Sequence, residues 1–564
     1  RKFGEVVVSQ RPELGQFQCN GALAAANIQK TNPRGLAQSV IEALEPREAF
    51  AQVSLAGPGF INIQLADGFL AAQVQQIAGD QRLGCSPVAS EHILIDFGGP
   101  NVAKPMHVGH LRSAIIGDSL QRLCCFMGHQ VTSDIHLGDW GTPMGMLIVE
   151  LKRRQPDLPY FDAAYTGPYP AEAPVTILDL QEMYPRITAR CREDQNEMDA
   201  ALQATVELQQ GRAGYQALWR HFVAVSMQEL KEDFASLGVT FDLWLGESDY
   251  HDRIPQMLEK LQLGGHAQMS EGALVVPLAQ TNGQKETPPL MLVKSDGSFL
   301  YGTSDLATLF QRVEDFRANR ILYVVDARQG LHFKQLFEAA HQIGLAQGVK
   351  LEHIAFGTVN GPDGKPFKTR AGGAMRLKDL IAMVTDEALK RMAETGVAKG
   401  YAAGERLDVA KKVGLAALKF ADLMNHRTSD YIFDLEKFTK FEGRTGPYLL
   451  YTAVRLKSIL RNAHDKSLIP GAILPPTPAE RDVMLTLCEL PDAVHKAYLN
   501  YAPNYLCDFA YTLAKEFNRF YDQCHILNEK NPTRQSSWLA LAQLCLAELE
   551  LLLSLLGIEP PDRM

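Results

Sequence analysis

The stretch DFGGPNVAKPMHVGHLRSAIIGD, Asp96 to Asp118, places two histidines, His107 and His110, three residues apart. The apolar run ILI precedes it, and leucines and isoleucines recur at helical spacing after it as far as Leu123, so the segment reads as strand, loop, helix. At the first turn of that helix the two imidazoles share one face, beside backbone N–H groups that lack intrahelical acceptors. Such amides, the positive end of the helix dipole and two imidazole donors together suit an anion, phosphate above all. Gly109, between the histidines, lets a ring approach the backbone. Alone, HxGH is a weak signal; its place at a strand-to-helix junction strengthens it.

A second cationic element is GPDGKPFKTRAGG, Gly361 to Gly373. Lys365 and Lys368, followed by Thr369 and bracketed by glycines and prolines, form a loop that could close over phosphates and neutralise charge developing in a transfer step. In isolation it is an exposed basic turn. Neither GxGxxG nor GxxxxGK[ST] occurs, so no dinucleotide fingerprint or P-loop accounts for phosphate binding.

These residues need a scaffold. From about 90 to 395, the runs HILIDF, ILYVVDA and HIAFGTV alternate with helical stretches, the rhythm of a Rossmann-like, doubly wound parallel sheet with crossover helices. Ligands of such sheets sit outside the carboxyl ends of the strands, where the loop from Phe97 to His110 falls. Between about 150 and 290 the rhythm breaks: DLPYFDAAYTGPYPAEAP leads into a polar, acidic helical stretch that reads as an insertion packed on or beside the sheet. Residues 1–88 mix strand-like EVVVS and FINIQL with helical GALAAANI and GLAQSVIEAL, a small α/β domain. Strand signals vanish from 399 to 564, where amphipathic patterns recur and predict an α-helical bundle. The expected architecture is therefore α/β in three parts: 1–88, 89–398 and 399–564.

A net charge of -9 argues against wholesale attraction to nucleic acid. One local stripe runs the other way: Lys437, Lys440, Arg444, Arg455, Lys457 and Arg461 accompany a single acid, Glu442, and interleave with Phe438, Phe441, Tyr448 and Tyr451. Positive charge with stacking rings suits single-stranded nucleic acid, and a solvated helix face over core aromatics has the same composition. The nine cysteines form no CxxC pair or Cys/His run at metal-ligand spacing, which points to a reducing compartment and no structural zinc. The apolar segment from Trp538 carries Gln543, Glu548 and Glu550, costly in a bilayer, so it reads as a packed helix and no membrane association is expected. No signal peptide is visible, but the chain begins at Arg1 rather than methionine, which leaves targeting open.

HVGH resembles the HIGH signature, and KPFKT the KMSKS signature, of class I aminoacyl-tRNA synthetases. PNVAKPMHVGHLRSAIIGD, KPFKTRAGG, RTGPYLLYTAVR and the terminal LGIEPPDRM are similar specifically to arginyl-tRNA synthetases, in matching order over essentially the whole chain. Two departures are visible: Val108 replaces isoleucine, and Lys365-Pro366-Phe367-Lys368-Thr369 keeps both lysines and a hydroxyl but not the middle pair. The resemblance implies that ATP, with Mg2+, and L-arginine give arginyl-adenylate and pyrophosphate, after which arginine passes to the 3′ end of tRNA(Arg). It implies catalytic roles for His107, His110, Lys365 and Lys368, and ATP contacts from Lys104, His107, Gly109, His110, His332 and Lys368, with the backbone around Phe356 to Val359 lining the nucleotide. It assigns arginine binding to Asp96, Asn101, Tyr301, Asp305 and Gln329, and tRNA binding to Arg444, Tyr448, Tyr451 and Arg455, with no protein metal ligands. A cytoplasmic monomer, whose amino-acid activation waits for bound tRNA, completes the expectation.

The arginine assignment has physical sense, because a guanidinium is a planar fork that pairs bidentately with carboxylates. Asp96 ends the first strand, and YGTSD places Tyr301 and Asp305 four apart on one helical face. On the residues alone, Asp305 reads as a cap or surface acid and Asp96 as a strand-end residue accepting loop N–H groups. Two rivals share the motifs. An adenylate-forming ligase of the same architecture that uses no RNA is opposed by the basic, aromatic helical region; a catalytically inactive tRNA-binding paralogue is opposed by the presence of both histidines and both loop lysines.

Overall fold

The computed structural model describes residues 3–11, 13–278, 287–295, 299–361, 364–365 and 375–564. Lys368 lies outside them, as does the side chain of Tyr301. The architecture is α/β: a doubly wound parallel sheet with an insertion, preceded by a small α/β domain and followed by a helical bundle.

The central sheet orders its four parallel strands as Lys350–His353, Arg320–Val324, His92–Phe97, Gln130–Asp134. The chain starts inside at His92–Phe97, moves out to Gln130–Asp134, then returns to the other side for the remaining two strands. The crossovers therefore diverge between His92–Phe97 and Arg320–Val324, and a crevice opens where those two strands end. Ile93, Leu94, Ile95, Ile321 and Leu322 are all fully buried, as strands covered on both faces require. Alternate residues go to opposite layers. Ile93, Ile95 and Phe97 pack with Leu111 and Ile115 of the helix Val108–Phe126, while Leu94 and Ile321 pack with Leu306 and Leu309 of Tyr301–Glu314 and Leu336 of Gly330–Gln342.

The run HIAFGTV behaves differently from its strand-like reading. The strand is Lys350–His353; the chain then leaves the sheet, touches it again through a single bridge at Phe356, and at Val359–Asn360 pairs in parallel with Tyr431–Ile432. Strand structure thus reappears after residue 399, in a two-residue piece too short to show periodicity. The detour is held by Asp326, whose backbone bridges Phe356, and by Asp430, whose carboxylate accepts from the Thr358 N–H at 2.6 Å.

In the insertion, the helices Thr142–Arg154, Ile177–Glu193, Gln195–Gln209 and Ala213–Ser236 build their own core around Leu147, Leu180, Leu208 and Phe222. The antiparallel strands Gln268–Ser270, Ala273–Val276 and Leu290–Val293 then rejoin the layer beside the sheet. The N-terminal domain is a four-stranded antiparallel sheet with helices Gly21–Gln29 and Pro33–Glu42 over a thin core of Cys19, Ala22, Ala37, Ile61 and Ile63. In the C-terminal bundle the last helix, Pro532–Leu555, is the one helix among the described residues long and apolar enough to cross a membrane, yet Trp538, Leu541, Leu549 and even Glu548 are buried in the bundle core.

Candidate active site at the switch point of the sheet

The strand His92–Phe97 hands over to a loop that turns through Gly98 and Gly99, both at positive φ (95° and 46°), and delivers His107 as the N-cap of the helix Val108–Phe126. His107 Nδ1 accepts from the Gly109 N–H at 3.0 Å, and His110 Nδ1 accepts from the His107 N–H at 3.2 Å. Two imidazoles thus make the reciprocal cap usually built from a hydroxyl and a carboxylate. The remaining amides of the turn are also taken: Val108 N–H donates to Met375 O at 3.0 Å and His110 N–H to His107 O at 2.8 Å. The expectation of free backbone donors is therefore corrected. What the turn offers an anion is the two Nε2–H groups, because each Nδ1 must keep its lone pair for the backbone. Burial, His107 and Lys104 push the His110 pKa down to about 3, and burial with Lys104 lowers His107 as well. Both rings are neutral donors at pH 7. A Cβ at Gly109 would lie 2.6 Å from His107 Cε1, so the ring this glycine admits is that of His107 itself.

The helix is locked to the crevice. Ser113 Oγ accepts from the Gly98 N–H at 2.8 Å and donates to Val324 O at 2.7 Å, joining the ends of the two strands that flank the switch point. Gly117 leaves room for the Phe97 ring, which any Cβ there would strike. Arg112, buried, pairs with Asp422 at 3.2 Å and donates to Ser429 O at 2.9 Å.

Past the carboxyl ends of the strands His92–Phe97 and Gln130–Asp134 lies a cavity of about 590 Å³ lined by Asp96, Asn101, His136, Glu247, Asp305, Arg312, Gln329 and His332, among others. Arg312, fully buried, forms its floor, 2.7 Å from Asp96 and 2.8 Å from Asp134. Burial raises the Asp96 carboxyl and Arg312 offsets part of that rise. Asp96, expected to meet a substrate cation itself, therefore has its counter-cation inside the protein. Asp305 is neither a cap nor a surface acid. His332 Nε2 donates to its Oδ2 at 2.5 Å, and His136 Nε2 stands 3.8 Å from its Oδ1. Burial would raise the Asp305 carboxyl, but the two imidazoles hold it down to about 2. In return, against the pull of burial, Asp305 and Asp96 lift His136 to about 9, and Asp305 raises His332. His332, expected at the nucleotide, lines the pocket together with Asp305.

Asn101 sits where its backbone bridges Gly138, pinning its loop to the one after Gln130–Asp134, and Gln329 ends the short turn Ala327–Gln329 at the rim. Tyr301 opens the helix that carries Asp305 one turn later. Lys104 directs its ammonium to the Tyr184 ring, 4.6 Å from the centroid. Lys365 closes a turn in which its carbonyl accepts from the Gly361 N–H at 2.8 Å. His136, Arg312 and Glu247 escaped the sequence reading. His136 follows the strand Gln130–Asp134 directly, so the rule that ligands sit past strand ends could have found it; Arg312 lies in a helix that reads as amphipathic, and nothing local marks its burial.

Two cations of the basic stripe pair with acids and two more donate to neutral acceptors. Arg444 pairs with Asp508, Lys457 lies 3.1 Å from Glu550, and Arg461 donates to Asp562 O at 2.8 Å. Arg455 donates to Asn518 Oδ1 at 2.6 Å and to the Tyr451 hydroxyl at 3.2 Å, while the Tyr448 hydroxyl accepts from Asn518 at 3.0 Å. The acids that balance these cations come from distant helices. Tyr451 is 36% exposed, with the Arg455 guanidinium 4.8 Å from its ring centroid. Among the described residues no group of three or more His, Cys, Asp or Glu side chains is arranged to hold a metal ion.

Comparison with known proteins agrees with this geometry. Residues 73–435 match the family described as tRNA synthetases class I (R), catalytic domain; residues 449–564 match the DALR anticodon binding domain, and residues 2–65 the arginyl tRNA synthetase N terminal domain. The chain is 52% identical over its whole length to an arginine–tRNA ligase of Maricaulis maris, covering 96% of that protein, and 47% identical, with the same coverages, to one of Alkaliphilus oremlandii. Its fold is shared with the arginyl-tRNA synthetases of Thermus thermophilus (TM-score 0.81, 22% identity, 99% of this chain and 96% of that one) and Plasmodium falciparum (0.80, 24%, 99% and 94%). With two neutral histidines at the switch point, a pocket that holds the ionised Asp305 and matching sequence from end to end, the chain belongs to the arginine branch of the class I tRNA synthetases.

Proposed function

We propose that this protein is an arginine–tRNA ligase: it joins L-arginine to ATP as arginyl-adenylate with release of pyrophosphate, then transfers the arginyl group to the 3′ end of tRNA(Arg). The observation that carries this reading is Asp305, an ionised carboxylate inside a cavity that Asp96, Gly99 and Asn101, from the strand and loop leading to HVGH, also line. A guanidinium is the side-chain cation that keeps its charge on entering such a site and can engage both carboxylate oxygens.

Activation requires a carboxylate oxygen of arginine to bond to the α-phosphorus as the bond to the pyrophosphate oxygen breaks. Negative charge gathers on the α-phosphate oxygens, and donors already aimed at them lower the barrier. His107 and His110 are built for this, since the backbone fixes each Nδ1 and leaves each Nε2–H oriented without reorganisation. Lys365 and Lys368 add positive charge from the KPFKT loop, Gly109 keeps the turn close, and Lys104 contributes from the preceding loop. Asn101, Tyr301 and Gln329 surround arginine with Asp305, and Asp96 acts on the Arg312 floor. Magnesium enters on the ATP phosphates as part of the substrate. Tyr451 offers a stacking face to tRNA, with Arg444, Tyr448 and Arg455 shaping the surface around it. The enzyme works in the cytoplasm as a monomer. Charging of unfractionated tRNA with each labelled amino acid tests the reading: arginine alone should be incorporated, and incorporation of another amino acid would contradict it.

A further inference from the structure

Asp305 is held by two histidines, His332 Nε2 at 2.5 Å from Oδ2 and His136 Nε2 at 3.8 Å from Oδ1, so both carboxylate oxygens face an imidazole. These are the oxygens a guanidinium fork would use. The other charges around the cavity are already committed. Arg312 is shared between Asp96 and Asp134, Asp139 accepts from the Ser248 N–H and hydroxyl at 3.0 and 2.6 Å, and Arg328 pairs with Asp326 at 2.7 Å on the rim. Burial pushes the Glu247 carboxyl up to about 7, and the remaining neighbours, Tyr250 and Tyr323, are phenols pushed further from ionisation. Among the described residues Asp305 is therefore the one firmly ionised acid lining the pocket whose partners are imidazoles rather than an arginine. Two imidazolium ions and a guanidinium cannot all be balanced by it, beside a buried Arg312.

Of the three cations only the imidazoles can shed a proton, because a guanidinium stays charged at any accessible pH. His136 is poised to do so. Its Nδ1 is buried and, among the described residues, has no hydrogen-bond partner, so no protein group holds that proton. Its backbone sits at φ 47°, a left-handed conformation unfavourable for histidine, which places the ring over the pocket. We propose that His136 and His332 are the resident counter-cations of Asp305 and determine specificity there: the substrate guanidinium takes over the carboxylate, and the displaced imidazolium protons pass to solvent. Each ring keeps its Nε2–H and loses only the Nδ1 proton, so the His332 hydrogen bond to Asp305 survives from a neutral ring. A neutral isostere such as citrulline brings no charge to displace the protons and is refused. This rests on the arginine-site reading above.

Calorimetric titration with L-arginine in two buffers of different ionisation enthalpy measures the protons released. Between about one and two protons should leave per arginine at about pH 7, with affinity rising roughly tenfold per pH unit for each proton released until the histidines are neutral, and release should vanish by about pH 10. Citrulline should release none. His136→Asn, chosen because asparagine tolerates the left-handed backbone, should lower the release and flatten the pH dependence; His332→Gln, on a half-buried helix start, tests the same coupling if the first variant fails to fold. Proton-silent, pH-independent arginine binding would overturn the proposal. If in addition Asp305→Asn bound arginine like the parent, the site reading itself would fall; if that variant were weakened, only the proton exchange would.

Discussion

The guanidinium of Arg312 lies 2.7 Å from the Asp96 carboxylate, with both side chains enclosed at the carboxyl end of the first strand of the sheet. Asp134, on the neighbouring strand, completes a buried triad. Arg312→Leu would strand two carboxylates without a cation, and removing one partner of a buried pair costs about 3–5 kcal/mol. We predict destabilisation of that order in urea unfolding, with arginine binding lost in whatever remains folded.

Asp305→Asn keeps the shape and removes the charge. Hydrogen bonds to charged groups contribute about 1.5–3 kcal/mol, so arginine affinity should fall roughly 10- to 100-fold while ATP affinity holds. Equal losses for both ligands in binding assays would sink the assignment.

His110 separates two roles by atom. Nδ1 caps the helix and Nε2–H is the donor proposed for the α-phosphate, so His110→Ala should slow adenylate formation by about 100- to 1,000-fold with little change in arginine affinity, and should also cost about 1 kcal/mol of capping. His110→Asn restores an acceptor near the Nδ1 position and should recover stability without activity. Folding lowers the His110 pKa to about 3, so its contribution to stability is present above the unfolded value near 6.5 and is lost as pH falls toward 3. Acid unfolding curves of the two proteins should diverge in that window, the asparagine variant losing less.

Gly117→Ala places a methyl group against the Phe97 ring. Overpacking of this kind costs typically about 1–3 kcal/mol, and because the same helix carries HVGH, activation should slow along with the loss of stability. A variant as stable and as fast as the parent would show that the helix can shift off the strand freely.

The sequence made the sheet legible wherever strands were long and apolar, as in HILIDF, and failed where pairing was brief, as in Val359–Asn360 with Tyr431–Ile432. HVGH was legible as a strand-to-helix junction, but its free backbone amides were not there to find, since only the folded turn reveals that the imidazoles consume them. Asp305 gained meaning from His136 and His332, which reach it from two separate segments. The stripe from Lys437 to Arg461 looked free because Glu550 and Asp562 are remote in sequence. Long-range charge pairing leaves no local periodicity, and that is where residue patterns ran out.

The most direct test is ATP–pyrophosphate exchange with each amino acid in turn, with and without unfractionated tRNA. Exchange with arginine alone, and only when tRNA is present, is the predicted result. Exchange supported by a different amino acid, or none under any condition, would contradict the account.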